Sequence, residues 1–80
     1  MMKARVFITL KPAVLDPQGK AIQNALNGLG FDEAQSVRQG KVIDIELSGD
    51  DNSAVQSSVT EMCEKLLANT VIEDYRIEIL

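Results

Sequence analysis

The chain contains no histidine and only one cysteine. Without histidine there is no Cys-His nucleophile pair and no imidazole ligand for a metal. A single cysteine cannot close an internal disulfide, which fits a reducing, cytosolic home. No apolar run approaches the ~18 residues that a membrane span needs. The first residues move straight into an alternating pattern, unlike a signal peptide. Neither GxxxxGK[ST] nor GxGxxG occurs, so both common phosphate cradles are missing. Positive charge is also scarce, with eight Lys and Arg against twelve Asp and Glu and a net charge of −4. That argues against nucleic acid or an anionic membrane as a partner, since either needs clustered Lys and Arg. Repeats, low-complexity segments and linkers are absent. The expectation is a soluble, cytoplasmic protein.

What is present describes one small domain spanning residues 1–80. With 80 residues and 45% hydrophobic content, the chain is large enough for a modest core. Ala4, Val6, Ile8 and Leu10 alternate with Lys3, Arg5, Thr9 and Lys11, Phe7 being the exception. Period two predicts a half-buried strand. Asp16 suits a helix N-cap and Pro17 the first helical position. Ala21, Ile22, Ala25, Leu26 and Leu29 then trace one face of a helix from about Pro17 to Leu29. Gly30 suits a left-handed C-cap, with Phe31 folding back on the last turn.

Ala34 to Arg38 and Lys41 to Leu47 both read as extended. A hairpin through Gln39-Gly40 is favoured over one long strand bent at Gly40. Gly49-Asp50-Asp51-Asn52 is a loop. Ser53 with Gln56 fits a capping box, and Asp50 or Asp51 could cap instead. Val55, Val59, Met62, Cys63, Leu66 and Leu67 mark a second helix ending at Asn69. Val71, Tyr75, Ile77 and Ile79 give a last strand. The order β-α-β-β-α-β predicts an α+β, ferredoxin-like fold with an antiparallel sheet and two helices on one face. The other face carries Lys3, Arg5, Phe7, Asp44, Glu46, Arg76 and Glu78. In the usual strand order Lys3 and Arg5 sit between Asp44/Glu46 and Glu78.

Few residues are placed for chemistry. Cys63 lies on the apolar stripe and reads as a small core residue rather than a nucleophile. Asp50-Asp51, Glu61/Glu64 and Glu73-Asp74 read as capping and solvated charge rather than as a metal site. One phenylalanine beside two acids is a poor platform for stacking RNA bases. The first loop lacks the Cys-x-x-Cys of metal chaperones that share this fold. Two clusters remain. Lys11 to Gly19 is either a plug for the end of the core or a rigid apolar knob offered to a partner. Arg38-Gln39-Gly40-Lys41 is either a solvated turn or a basic docking point. Asn69 is most simply a helix C-cap.

Leu15-Asp16-Pro17-Gln18-Gly19, Arg38-x-Gly40-Lys41, Met62-Cys63, Leu66-Leu67-Ala68-Asn69 and Val71-Ile72-Glu73 together resemble the PurS family. These proteins are the small subunits of phosphoribosylformylglycinamidine synthase. The resemblance runs from about Val6 to Glu78, and Thr70 stands where many members have Pro. It implies a non-catalytic subunit that binds no cofactor itself. Its partners would be a large synthetase subunit (PurL), which holds ATP and Mg²⁺, and a glutaminase subunit (PurQ). The subunit would bridge them, help ammonia pass between them, and self-associate to a dimer or tetramer. No catalytic or metal residue is expected. The expected partner-facing residues are Lys11, Val14, Leu15, Asp16, Gln18, Gly19, Arg38, Gly40, Lys41 and Asn69. An ACT-like regulatory module is the alternative, although no glycine-rich turn follows the first strand. An acylphosphatase-like enzyme would need an arginine in the first loop, which has only Lys11.

Overall fold

A computed structural model describes residues 1–80. Strand β1 (Met2–Leu10) is followed by helix α1 (Pro17–Gly28), strand β2 (Gly40–Leu47), helix α2 (Asn52–Met62) and strand β3 (Glu73–Ile79). The three strands form one antiparallel sheet in the order β2-β1-β3. Arg5 pairs with Asp44 on one side and Glu78 on the other, and Lys3 pairs with Glu46. This is the expected α+β, ferredoxin-like arrangement with β1 at its centre, but with three strands in the order β-α-β-α-β where the sequence predicts β-α-β-β-α-β.

Alternation along β1 makes the two sheet faces differ. Ala4, Val6 and Ile8 point inward and are fully buried with Val55, Val59, Cys63 and Ala68. Ile43, Ile45, Tyr75 and Ile77 pack around them. The outer face is polar, as expected. The Arg5 guanidinium forks onto Asp44, Nε donating to Oδ1 at 2.8 Å and Nη2 to Oδ2 at 3.2 Å. This hydrogen-bonded pair raises the Arg5 pKa and lowers that of Asp44. The Arg76 guanidinium lies 4.1 Å from the centre of the Phe7 ring.

Four local features depart from the sequence reading. First, no hairpin forms at Gln39-Gly40. Favoured two-residue hairpins need left-handed backbone, and only Gly30 and Gly49 have positive φ. Ala34 to Arg38 instead runs back beside α1. The Gln23 side-chain amide donates to Gln35 O at 3.0 Å, and that of Asn27 donates to Phe31 O and Ala34 O at 3.0 and 3.2 Å. Second, α2 gives way at Cys63 to a π turn, Cys63–Leu67, closed by Ala68 N donating to Cys63 O at 3.0 Å. The wider turn sets Ala68 beneath Cys63 in the core and swings Leu66 outward to 83% exposure. Third, Asn69 is not a left-handed C-cap, since no residue other than glycine has positive φ. Its side-chain Oδ1 accepts from Val71 N at 3.2 Å, while Ile72 N and Glu73 N donate to its carbonyl. Val71 is thus an exposed turn residue and β3 begins at Glu73. At the head of α2, Asp51 is the N-cap, accepting from Ser53 N at 3.0 Å.

The fourth departure concerns the helices. Only α2 lies on the sheet. In α1 the one buried residue is Gly19, and none of the helix belongs to the core. Ile22 is 42% exposed and Leu29 75%. Gly30 takes the expected left-handed conformation (φ 101°), and Phe31 N folds back to donate to Leu26 O at 3.0 Å. With its return segment, α1 forms an arm. The molecule is accordingly long, 48 × 24 × 14 Å. Nine of 80 residues are buried, so the lone chain has little core in reserve.

Candidate functional site

The base of the arm gathers most of the residues singled out in the sequence. The Asp16 carboxylate caps α1, Oδ1 accepting from Gly19 N at 2.8 Å. Its Oδ2 accepts from Gln39 N at 2.7 Å, on the returning segment just before β2. Those two N–H donors, Gln39 foremost, hold the carboxyl below the usual range for an aspartate, and Arg38 adds its charge. Asp16 is 6% exposed. It therefore acts mainly within the chain, joining the two limbs of the arm. Gly19 is also buried, because a Cβ there would stand 2.4 Å from Val37 O.

Arg38 is engaged in the same way. Its Nη2 donates to Lys11 O at 3.0 Å and Val14 O at 2.9 Å. A guanidinium bound to two loop carbonyls is a brace more than a free docking point. Lys11 N in turn donates to Ile72 O at 2.8 Å, and Lys11 Nζ lies 3.1 Å from Asp74 Oδ1. The first loop and the turn before β3 thus form one surface. Gly40 admits β2 close to β1, since a Cβ there would meet Ile8 O at 2.7 Å.

Glu73 links Asn69 to the group, a role missed in the sequence, where Glu73-Asp74 read as solvated charge. Its Oε1 accepts from Asn69 N at 2.7 Å and its Oε2 lies 4.0 Å from Lys41 Nζ. Glu73 belongs to the quoted run Val71-Ile72-Glu73, so the motif carried the signal. Gln39 was likewise passed over, because its contribution is a backbone N–H that no residue type announces. Around these residues is a cleft of about 210 Å³, lined by Ile8, Leu10, Gln18, Lys41 and Glu73 among others. That is below the roughly 300–1,000 Å³ of small-molecule sites. What this end of the molecule presents outward is Leu15 (78% exposed), Val71 (81%) and the Lys41 ammonium.

The arrangement is poor in reactive groups. Cys63 is fully buried, and burial pushes its thiol pKa up, away from the nucleophilic thiolate. No group of three or more Cys, Asp or Glu is placed to hold a metal ion. Glu64 accepts from the Tyr75 hydroxyl at 2.7 Å, which raises the tyrosine pKa, and Glu61 pairs with Lys65. No helix is long and apolar enough to cross a membrane.

Residues 3–80 match the family model PurS, phosphoribosylformylglycinamidine (FGAM) synthase. The PurS subunit of Bacillus subtilis is 51% identical over 79 residues, covering 99% of this chain and 93% of the relative. That of Methanocaldococcus jannaschii is also 51% identical, covering 99% and 95%. The crystal structure of Bacillus subtilis PurS superposes with a TM-score of 0.89, covering 100% of this chain and 99% of that one. A chain in the structure of PurLQS from Thermotoga maritima, 28% identical, superposes with a TM-score of 0.90, covering 99% and 96%.

Proposed function

We propose, from the premise that the chain belongs to the PurS family, that it is the small subunit of phosphoribosylformylglycinamidine synthase in purine biosynthesis. It works in the cytoplasm as a bridge between a synthetase subunit and a glutaminase subunit. The synthetase binds ATP and Mg²⁺ and activates the amide oxygen of formylglycinamide ribonucleotide. The glutaminase releases ammonia from glutamine. With water consumed in that hydrolysis, the products are formylglycinamidine ribonucleotide, ADP, phosphate and glutamate. This chain supplies none of the reacting groups. Its part is to hold the two active sites where ammonia passes between them without loss to water.

The observation that carries this reading is the family match across residues 3–80. The structure adds physical support, because reactive groups are few and recognition surface is plentiful. A rigid loop ends in exposed Leu15, and an apolar helix face on the arm is uncovered. The uncovered face of α1 also supports self-association, since a second copy would bury Ile22 and Leu29. The small cleft gives no support to an ACT-like regulatory module. Among the expected interface residues, Leu15, Lys11, Gln18 and Lys41 face the partner. Arg38, Gly40 and Asn69 are exposed beside them, half-buried Val14 lies at the edge, and buried Asp16 and Gly19 support the group from below.

Light scattering of a mixture with the two larger subunits tests this directly. One complex containing all three polypeptides is expected, and absence of this chain from every complex would contradict the reading. Single substitutions separate the two kinds of residue. Lys41→Ala leaves stability within about 0.5 kcal/mol, as for most surface changes, but weakens assembly. Arg38→Ala strips two carbonyls of their donor and lowers stability by roughly 1 kcal/mol as well. Urea unfolding and binding titrations with each variant check the split. Equal stability and equal binding in both would remove this face from the interface.

A further inference from the structure

We infer that Asp16, together with Arg38, is the positioning element that fixes the direction of the arm against the sheet, and that the synthase is assembled through an arm held in that direction. The inference rests on the proposed role as a bridging subunit.

The chain enters the arm at Asp16 and leaves it at Gln39, just before β2, and these two points meet. One carboxylate spans them, taking Gly19 N at 2.8 Å on the way out and Gln39 N at 2.7 Å on the way back. Arg38 spans the junction in the opposite sense. It sits on the returning segment and donates to Lys11 O and Val14 O in the loop that leads into the arm. That loop is tied to the sheet through Lys11 N on Ile72 O. The two side chains therefore interlock, each reaching from one limb of the chain to the other.

No fully buried apolar side chain does this work. The buried residues of the arm and its base are Asp16 and Gly19, and the hydrophobic core contains no residue between Ile8 and Val55. A hinge stapled by four directed hydrogen bonds holds an angle better than a greasy contact of the same size, because hydrogen bonds weaken steeply off axis. The geometry is also tight. Val37 O fills the space a side chain at Gly19 would take, so the limbs cannot slide past one another. The angle matters because α1 is a lever. At 1.5 Å per residue its 12 residues span about 18 Å, and a 10° change at the base moves the tip by about 3 Å. Functional constellations tolerate only about 0.5 Å.

Asp16→Ser separates this role from helix capping. A serine hydroxyl still caps Gly19 N but is too short to hold Gln39 N as well. Spin labels at Asn24→Cys on the arm and Glu46→Cys on β2 report the angle, in samples diluted with unlabelled protein so that only distances within one chain are read. Cys63 is fully buried and stays unlabelled. The expected result for Asp16→Ser is unchanged helix content by circular dichroism and a broadened distance distribution. Glutamine-dependent synthesis should fall about 10- to 100-fold, with ammonia-dependent synthesis by the synthetase unchanged. A variant that fails to fold is replaced by Arg38→Met, which keeps the stem and removes the donors from the other side of the clasp. An unbroadened distribution, or a broadened one with undiminished glutamine-dependent turnover, overturns the inference. If the unsubstituted chain itself fails to support that turnover, the bridging role fails instead.

Discussion

A chain carrying both Ile22→Lys and Leu29→Lys is expected to lose self-association while keeping its fold. Ile22 on α1 and Leu29 at its C-cap are seven residues apart and share one face of the helix. Both are exposed in the single chain, at 42% and 75%. Neither belongs to the core formed by β1 and α2. Charging them therefore removes nothing that holds the protomer together, and Lys near the end of α1 suits the helix dipole. At an interface the same change is severe, because each ammonium must be stripped of water without a partner. Light scattering should report a species near the single-chain mass of 8.8 kDa, with the circular dichroism of the unsubstituted protein. An assembly of unaltered mass would mean that the arm's apolar face is not where copies meet.

Two glycines of the same helix should answer to alanine with opposite signs. At Gly19 a Cβ would stand 2.4 Å from Val37 O and 2.8 Å from an Asp16 carboxylate oxygen. Backbone oxygen cannot retreat without parting the two limbs of the arm. Gly19→Ala is expected to cost about 1–3 kcal/mol, in line with overpacking elsewhere, and to loosen the bond from Gln39 N to Asp16. Gly28 has nothing within 4 Å of its would-be Cβ and no positive φ. Gly28→Ala should therefore stabilise α1 by up to about 1 kcal/mol, the ordinary propensity difference. Urea unfolding of the pair measures both. Equal destabilisation would show that the close approach at Val37 does not exist in solution.

The fold was largely legible because its signals are local. The alternation in β1 names the buried triplet Ala4, Val6 and Ile8, and the stripe from Val55 to Cys63 names the face that covers it. Asp16-Pro17 and Gly30 mark the ends of α1. What the sequence hid depends on geometry between distant segments. Hydrophobic spacing showed that α1 has an apolar face. It could not show that this face finds no cover in its own chain. The π turn moved Leu66 from the expected core to the surface, and no residue in Cys63–Leu67 announces an extra residue per turn. Ala34 to Arg38 forms no strand, because side-chain amides of Gln23 and Asn27 satisfy the Ala34 and Gln35 carbonyls in place of a neighbouring strand. At the site, Asp16 and Gly19 were legible from the helix-start motif, but their burial was not. They read as contact residues, and in the folded chain both are buried at the base of the arm.

The central claim is that this chain makes a synthetase and a glutaminase act as one enzyme. Its most direct test is formylglycinamidine ribonucleotide synthesis by those two subunits, titrated with this protein, with glutamine and separately with ammonia as nitrogen source. Glutamine-dependent synthesis should rise with added chain and then saturate, while ammonia-dependent synthesis stays level. Full glutamine-dependent turnover in its absence would contradict the claim.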